Sequence, residues 1–223
     1  MARRASELFN DADRAVIESA VREAEQKTSA EIIPVAATAS GRYDRAEDIF
    51  GVLTALVLVA GCWIAFQGVT YGGWGVSYRL NLAVLLLLFI VGFIAGSAAA
   101  TWVPMLKLPF IAREEIEHEL ERSAAAAFHR FELRRTDGGN GVLLYISLFE
   151  RRVLVLPDRS ITARVAPESW NEVCDLIVAG LRAGEPADGL RQAIGRCAEI
   201  LAAVCPPHPG DRDELPNQLR IID

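Results

Sequence analysis

The sequence predicts an α/β fold: a three-layer α/β/α sandwich with an inserted two-helix transmembrane hairpin. Three observations predict it. Of 23 Lys and Arg and 29 Asp and Glu side chains, all but Arg79 lie outside residues 49–106. On either side of that block, runs with a helical period alternate with short strand-like runs. Neither flank holds enough elements to close a core by itself, because a two-stranded hairpin is marginal alone. The flanks therefore join into one discontinuous domain, residues 8–47 with 113–205, and the hydrophobic block is an insertion in one of its loops.

The first flank opens with a helix over residues 11–27. Asn10 can cap it, and Asp11 and Asp13 suit its positive end. Val16, Ile17, Ala20, Val21 and Ala24 form one apolar stripe. The run EIIPVAA over residues 31–37 then reads as a strand. Pro34 lacks a ladder donor, which points to an edge strand or a bulge.

The insertion spans residues 49–106. Residues 49–67 and 80–103 carry no charge, and each run is close to the ~20 residues that cross a bilayer core as a helix. Gly72, Gly73 and Gly75 break the connector. Trp63, Tyr71, Trp74, Tyr78 and Trp102 sit near the run ends, as interfacial aromatics do. Gly96 to Ala100 is a small-residue stretch that lets two helices approach closely. The runs are apolar all round, unlike the amphipathic helices of a soluble core. Arg42 and Arg45 precede the first run, Lys107 and Arg113 follow the second, and only Arg79 lies between. This bias predicts an integral membrane protein with both termini cytoplasmic and the lipid bilayer as a partner. The segment MARRASELFNDADR has no apolar stretch of the kind a cleaved signal peptide needs.

The second flank begins with a helix over residues 113–132, in which Ile116, Leu120, Ala124 and Phe128 recur every four positions. The turn from Thr136 to Gly141 stops it. Residues 142–148 and 152–156 read as two strands of a hairpin. Pro167 opens a helix whose apolar positions run from Trp170 to Leu181, and Gly184 ends it. Residues 188–204 repeat the pattern. The tail, residues 206–223, has four prolines and no apolar period, so it is expected to be disordered.

Composition excludes some functions. A net charge of −6 argues against a nucleic-acid partner, which would call for a basic face. Cys62, Cys174, Cys197 and Cys205 form no CxxC pair and no zinc spacing, so buried free thiols are expected. His118-Glu119 starts like a zincin helix, but Arg122 stands where the second histidine would be. There is no nucleophile elbow and no Walker loop.

Strand geometry nominates a site. The two strands of the hairpin run antiparallel, so the turn before the first lies beside the exit of the second. Asp137, Asn140 and Asp158 then converge. If residues 31–37 pair parallel to residues 142–148, Glu31 joins them. Such oxygen donors suit Ca²⁺ or Mg²⁺, and a cation there can polarise a phosphoryl oxygen or orient a water. The same residue types are also ordinary turn residues. Arg134, Arg135, Arg151, Arg152 and Arg159 crowd the same stretch. They are either phosphate-binding forks or a solvated face paired with acids.

Several stretches resemble the TPM domain, shared by thylakoid-lumen, photosystem-associated and nematode membrane proteins. They are FNDADRAVI from Phe9, KTSAEI from Lys27, LRRTDGGNGVLLYIS from Leu133, ERRVLVLPDRSI from Glu150, Trp170, and GEPADGLRQAI from Gly184. Some bacterial members have a membrane-spanning insert after the first strand. The resemblance implies an α/β/α sandwich, divalent-metal binding and, as in some plant members, acid phosphatase activity. The chain departs from the family pattern at Ser160, where glycine is usual, and at Pro34. Two functions follow as expectations. One is a membrane-tethered binding or accessory module for other membrane proteins. The alternative is a metal-dependent phosphohydrolase.

Overall fold

The computed structural model describes residues 4–67, 81–131, 133, 140–207 and 215–223. The chain forms two units, one over residues 42–113 and one that joins the stretch up to Gly41 with Glu114–Asp223. The second unit is built on a four-stranded sheet. Its strands are β1 (Glu31–Ala37), β2 (Gly141–Ser147), β3 (Arg152–Pro157) and β4 (Arg220–Ile222), in the order β3-β2-β1-β4. β1 is parallel to both its neighbours, and β3 is antiparallel to β2.

Every residue of β1 and β2 is buried. That is the pattern of strands covered on both faces, and alternate side chains feed two cores. Ile32, Ala36, Val142, Leu144 and Ile146 pack into the core shared with α2 (Asp11–Glu25), α7 (Asn171–Ala183) and α8 (Pro186–Val204). Ile33, Val35, Ala37, Leu143 and Tyr145 pack with Leu120, Ala124, Ala127 and Phe128 of α5 (Arg113–Arg130). Helices on both faces of one sheet make the α/β/α sandwich that the sequence predicts.

Local chemistry sets the helix ends. The Asn10 side chain accepts from the Asp13 amide, and the Asp13 carboxylate accepts from the Asn10 amide, both at 3.0 Å. This capping box starts α2 where the sequence places it. The Glu25 carboxylate at its other end accepts from the Ile32 amide at 3.2 Å, which ties α2 to β1. Pro167 opens a 3-10 turn, Pro167–Trp170, and not α7 itself. α7 ends at Gly184, whose φ of +81° is one that glycine adopts without strain. α7 and α8 cross at Gly180 and Gly189. A Cβ on Gly180 would stand 2.5 Å from the Gly189 Cα.

Two expectations are corrected. Pro34 makes β1 neither an edge strand nor a bulge. It lies in unbroken register opposite Leu144, between β2 and β4. The Ala37 carbonyl accepts from Leu148 beyond β2, and the Thr38 amide donates to Ile222 of β4. Since alternate residues bond to opposite flanks, the nitrogen of Pro34 faces the β4 side. β4 pairs with β1 only from Val35 onward, so the missing donor falls just ahead of that ladder. The second correction concerns the tail. Its last residues are not disordered but form β4, held because Ile221 and Ile222 pack into the two cores. The Asp223 carboxylate then accepts from the Thr38 hydroxyl at 2.7 Å and from the Ser6 amide at 3.3 Å. Ser6 lies in a one-turn helix, α1 (Ala5–Leu8), whose first amide donates to the Thr38 hydroxyl at 2.9 Å.

The unit over residues 42–113 consists mainly of α3 (Asp44–Gln67) and α4 (Leu82–Trp102). Both are long and apolar enough to cross a membrane, with mean hydropathies of 2.5 and 2.6. Only 11% of each apolar window is buried within the chain, unlike the core helix of a soluble protein. α3 starts five residues before the uncharged run. Its added turn carries Glu47, which pairs with Lys107 at 2.6 Å and accepts from the Thr101 hydroxyl at 2.8 Å. The Lys107 ammonium also donates to the Arg42 carbonyl at 2.8 Å. The helices pack antiparallel on small residues. A Cβ on Gly92 would lie 2.8 Å from the Ala55 Cα, and one on Gly96 would lie 2.9 Å from the Gly51 Cα. These contacts match close small-residue packing between apolar helices. The connector, with Arg79 and the aromatics Tyr71, Trp74 and Tyr78, lies outside the described residues.

Two predictions follow from this packing. Gly180→Ala forces a methyl group against backbone and is expected to destabilise the fold by about 1–3 kcal/mol, read by chemical denaturation. The second concerns β4. The side chains of Ser6 and then Thr38 hold the carboxyl of Asp223, the residue after β4, below the usual carboxylate range. A depressed folded pKa means that this contribution is present above the unfolded value, about 4. It is lost as pH falls through the lower folded value. Hydrogen-exchange protection of the Thr38 amide is therefore expected to drop as pH falls below about 4, and Asp223→Asn should remove most of that dependence.

Candidate functional site

The sheet places the nominated residues at the edge where β1 and β2 begin and β3 ends. Glu31 is in register with Gly141, and Val142 with Pro157. The Asp158 amide donates to the Gly141 carbonyl at 2.8 Å, which carries the hairpin pairing one step past β3. Asp158 then caps α6 (Arg159–Thr162). Its carboxylate accepts from the Arg159 amide at 2.6 Å, and its carbonyl accepts from the Thr162 hydroxyl at 2.9 Å.

Glu31, Asn140 and Asp158 thus come to one sheet edge. Asp137 lies outside the described residues. Glu31 is buried, while Asn140 and Asp158 are half-buried. The Asn140 side-chain oxygen accepts from the Ser160 hydroxyl at 3.0 Å. Ser160, where the family pattern has glycine, is therefore a direct neighbour of a nominated ligand. Sequence reading took Ser160 only as a departure. Its hydroxyl role needed the register that brings residue 160 back to residue 140.

The donors on this edge are two carboxylates and an amide oxygen, the chemistry of a hard cation site. Among the described residues, no three His, Cys, Asp or Glu side chains gather as a metal-binding group. Glu31, Asn140 and Asp158 bring oxygen atoms to this edge, and the fourth residue nominated from sequence is Asp137.

The five arginines do not form one patch. Arg134 and Arg135 lie outside the described residues. Arg159 follows Asp158 at this edge. Arg151 and Arg152 lie at the opposite end of the hairpin, where Ser147 pairs with Arg152. That separation is about 17 Å over five ladder steps.

The opposite end of the sheet holds a polar network that the sequence reading missed. The Glu150 carboxylate accepts from the Ser40 amide at 2.8 Å, the Gly41 amide at 3.3 Å and the Ser147 hydroxyl. The Ser40 hydroxyl donates to Ser147 at 2.8 Å, and the Tyr145 hydroxyl is 2.7 Å from that of Ser123. Ser147 and Glu150 are both buried. The network closes the loop after β1 onto the turn after β2. The signal for it was slight: a lone serine ending the apolar run VLLYIS.

The cysteines are free. Burial pushes the thiols of Cys174, Cys197 and Cys205 up. At Cys205 the Arg164 guanidinium acts against burial without cancelling it. None of the three carries the thiolate character that nucleophilic chemistry requires.

Comparison with known proteins supports this architecture. The solution NMR structure of the BA42 protein from the psychrophilic bacterium Bizionia argentinensis superposes with a TM-score of 0.57 at 17% identity, covering 99% of each chain. At that identity the likeness is one of fold. No curated protein sequence matches the chain. The family model of the TPM domain matches residues 110–200, the stretch that runs through α5, the β2–β3 hairpin, α6, α7 and most of α8. Over that stretch the chain is similar to the TPM domain family.

Proposed function

We propose that the chain is a membrane-tethered binding or accessory module that serves other membrane proteins. In this reading its TPM-type domain takes Ca²⁺ or Mg²⁺ at the sheet edge of Glu31, Asn140 and Asp158, with Asp137 as a further ligand. The observation that carries the reading is the register. Pairing of Glu31 with Gly141, and of Asp158 with Gly141, brings oxygen donors distant in sequence to one edge. α3 and α4 would supply the tether, with both termini cytoplasmic on the strength of Arg42, Arg45, Lys107 and Arg113.

A bound cation stabilises the folded state by mass action, about 2.7 kcal/mol at a hundredfold excess over Kd. Titration of the full chain in lipid nanodiscs with Ca²⁺ and with Mg²⁺ is therefore expected to raise its Tm. Asp158→Asn keeps a side chain suited to capping α6 but removes a charged ligand, and it should cut the affinity at least tenfold. Asp137→Ala should do the same. No rise in Tm with either cation, or equal rises in the variants, would overturn the site. The competing reading is a metal-dependent phosphohydrolase. Cation-dependent release of phosphate from p-nitrophenyl phosphate, lost in Asp158→Asn, would replace the binding-module reading with that one.

A further inference from the structure

A cavity of about 370 Å³ lies between the turn after β2 and α7. Leu148, Val153, Val178 and Leu181 form its apolar walls, and Ser147, Arg151 and Arg182 complete its lining. Neither arginine is neutralised by a carboxylate of the described residues, and the backbone of Arg151 is unusual. Arg22, Arg122, Arg191 and Arg196 each hold a carboxylate at 3.3 Å or closer. Among the described residues, neither Arg151 nor Arg182 has a carboxylate within the 4.0 Å of an ion pair. Arg151 also has a φ of +53°, a left-handed backbone that a long side chain adopts at a cost of about 1 kcal/mol or more. The turn thus holds a guanidinium beside a largely apolar cleft at a position that glycine would fill without strain.

Two cations lining one cleft repel each other, and an oxyanion placed between them turns that repulsion into attraction. The guanidinium fork matches phosphate and carboxylate geometry alike. The four aliphatic walls offer nothing to a fully hydrated inorganic ion but favour an apolar body. The volume is that of a small-molecule site, about 300–1,000 Å³.

We propose that this cavity binds a small organic anion, one phosphate or carboxylate group on an apolar body, with Arg151 and Arg182 taking the anionic group. The site stands at the other end of the β2–β3 hairpin from Asn140 and Asp158 and does not depend on cation binding there.

The test uses the full chain in nanodiscs of zwitterionic lipid, with empty nanodiscs subtracted. Saturation-transfer difference NMR follows phenyl phosphate and benzoate, and competition against them follows inorganic phosphate. At least one aromatic anion is expected to bind saturably, and their ratio says whether phosphate or carboxylate is the preferred group. Inorganic phosphate should bind at least tenfold more weakly than phenyl phosphate. Arg182→Ala should weaken binding at least tenfold. Arg151→Gly should do so too, and because it relieves the left-handed φ it should leave Tm unchanged or raised. Absence of saturable binding by either aromatic anion would overturn the proposal. So would unchanged affinity in the Arg151→Gly/Arg182→Ala double variant, or inorganic phosphate binding as tightly as phenyl phosphate.

Discussion

The parallel ladder between β1 and β2 is the constraint on which the sandwich depends. Parallel strands cannot be joined by a tight turn and need a long crossover. Here the crossover from Ala37 to Gly141 contains α5, which covers one face of the pair. The other face is covered by α2, α7 and α8. Both strands are therefore buried throughout, and their sequences are almost wholly apolar for that reason. The crossover is also where α3 and α4 are inserted. A chain that must leave one strand and return in parallel already carries a long connection, and two further helices there do not interrupt the ladder.

The same ladder places the chemistry. It aligns the start of β1 with the start of β2, and the antiparallel β3 returns its exit to that edge. Glu31, Asn140 and Asp158 meet there although 109 and 18 positions separate them in turn. At the other end the ladder brings Ser40 against Ser147 and Glu150. A carboxylate buried among donors must be satisfied, and two backbone amides with a serine hydroxyl do this for Glu150. One end of the sheet is thereby closed by internal hydrogen bonds, while the other presents oxygens from three separate segments.

The arginines illustrate how far linear crowding misleads. Arg151 and Arg159 are eight positions apart, yet a hairpin strand carries them to opposite ends of the sheet. Arg151 instead shares a cavity with Arg182, 31 positions away. Periodicity carries no information about such a pairing. It arises because α7 lies along β3 and sets its own residues beside the turn.

Much of the architecture was legible in local pattern. The capping residues around Asn10 and Asp13, the apolar period of α5, α7 and α8, and the uncharged runs of α3 and α4 each follow from physics acting within a turn or two of chain. That Glu31, Asn140 and Asp158 come to one sheet edge was legible too, because a hairpin has one antiparallel geometry. What pattern could not supply was pairing across long separations. Pro34 read as an edge marker because a missing amide is costly opposite a partner. Only the tertiary register shows that its nitrogen faces a flank where β4 has not yet begun. Residues 220–222 read as tail because a three-residue strand has no period to detect. Their place is decided by an open flank of β1 and two apolar cores waiting on either side of it.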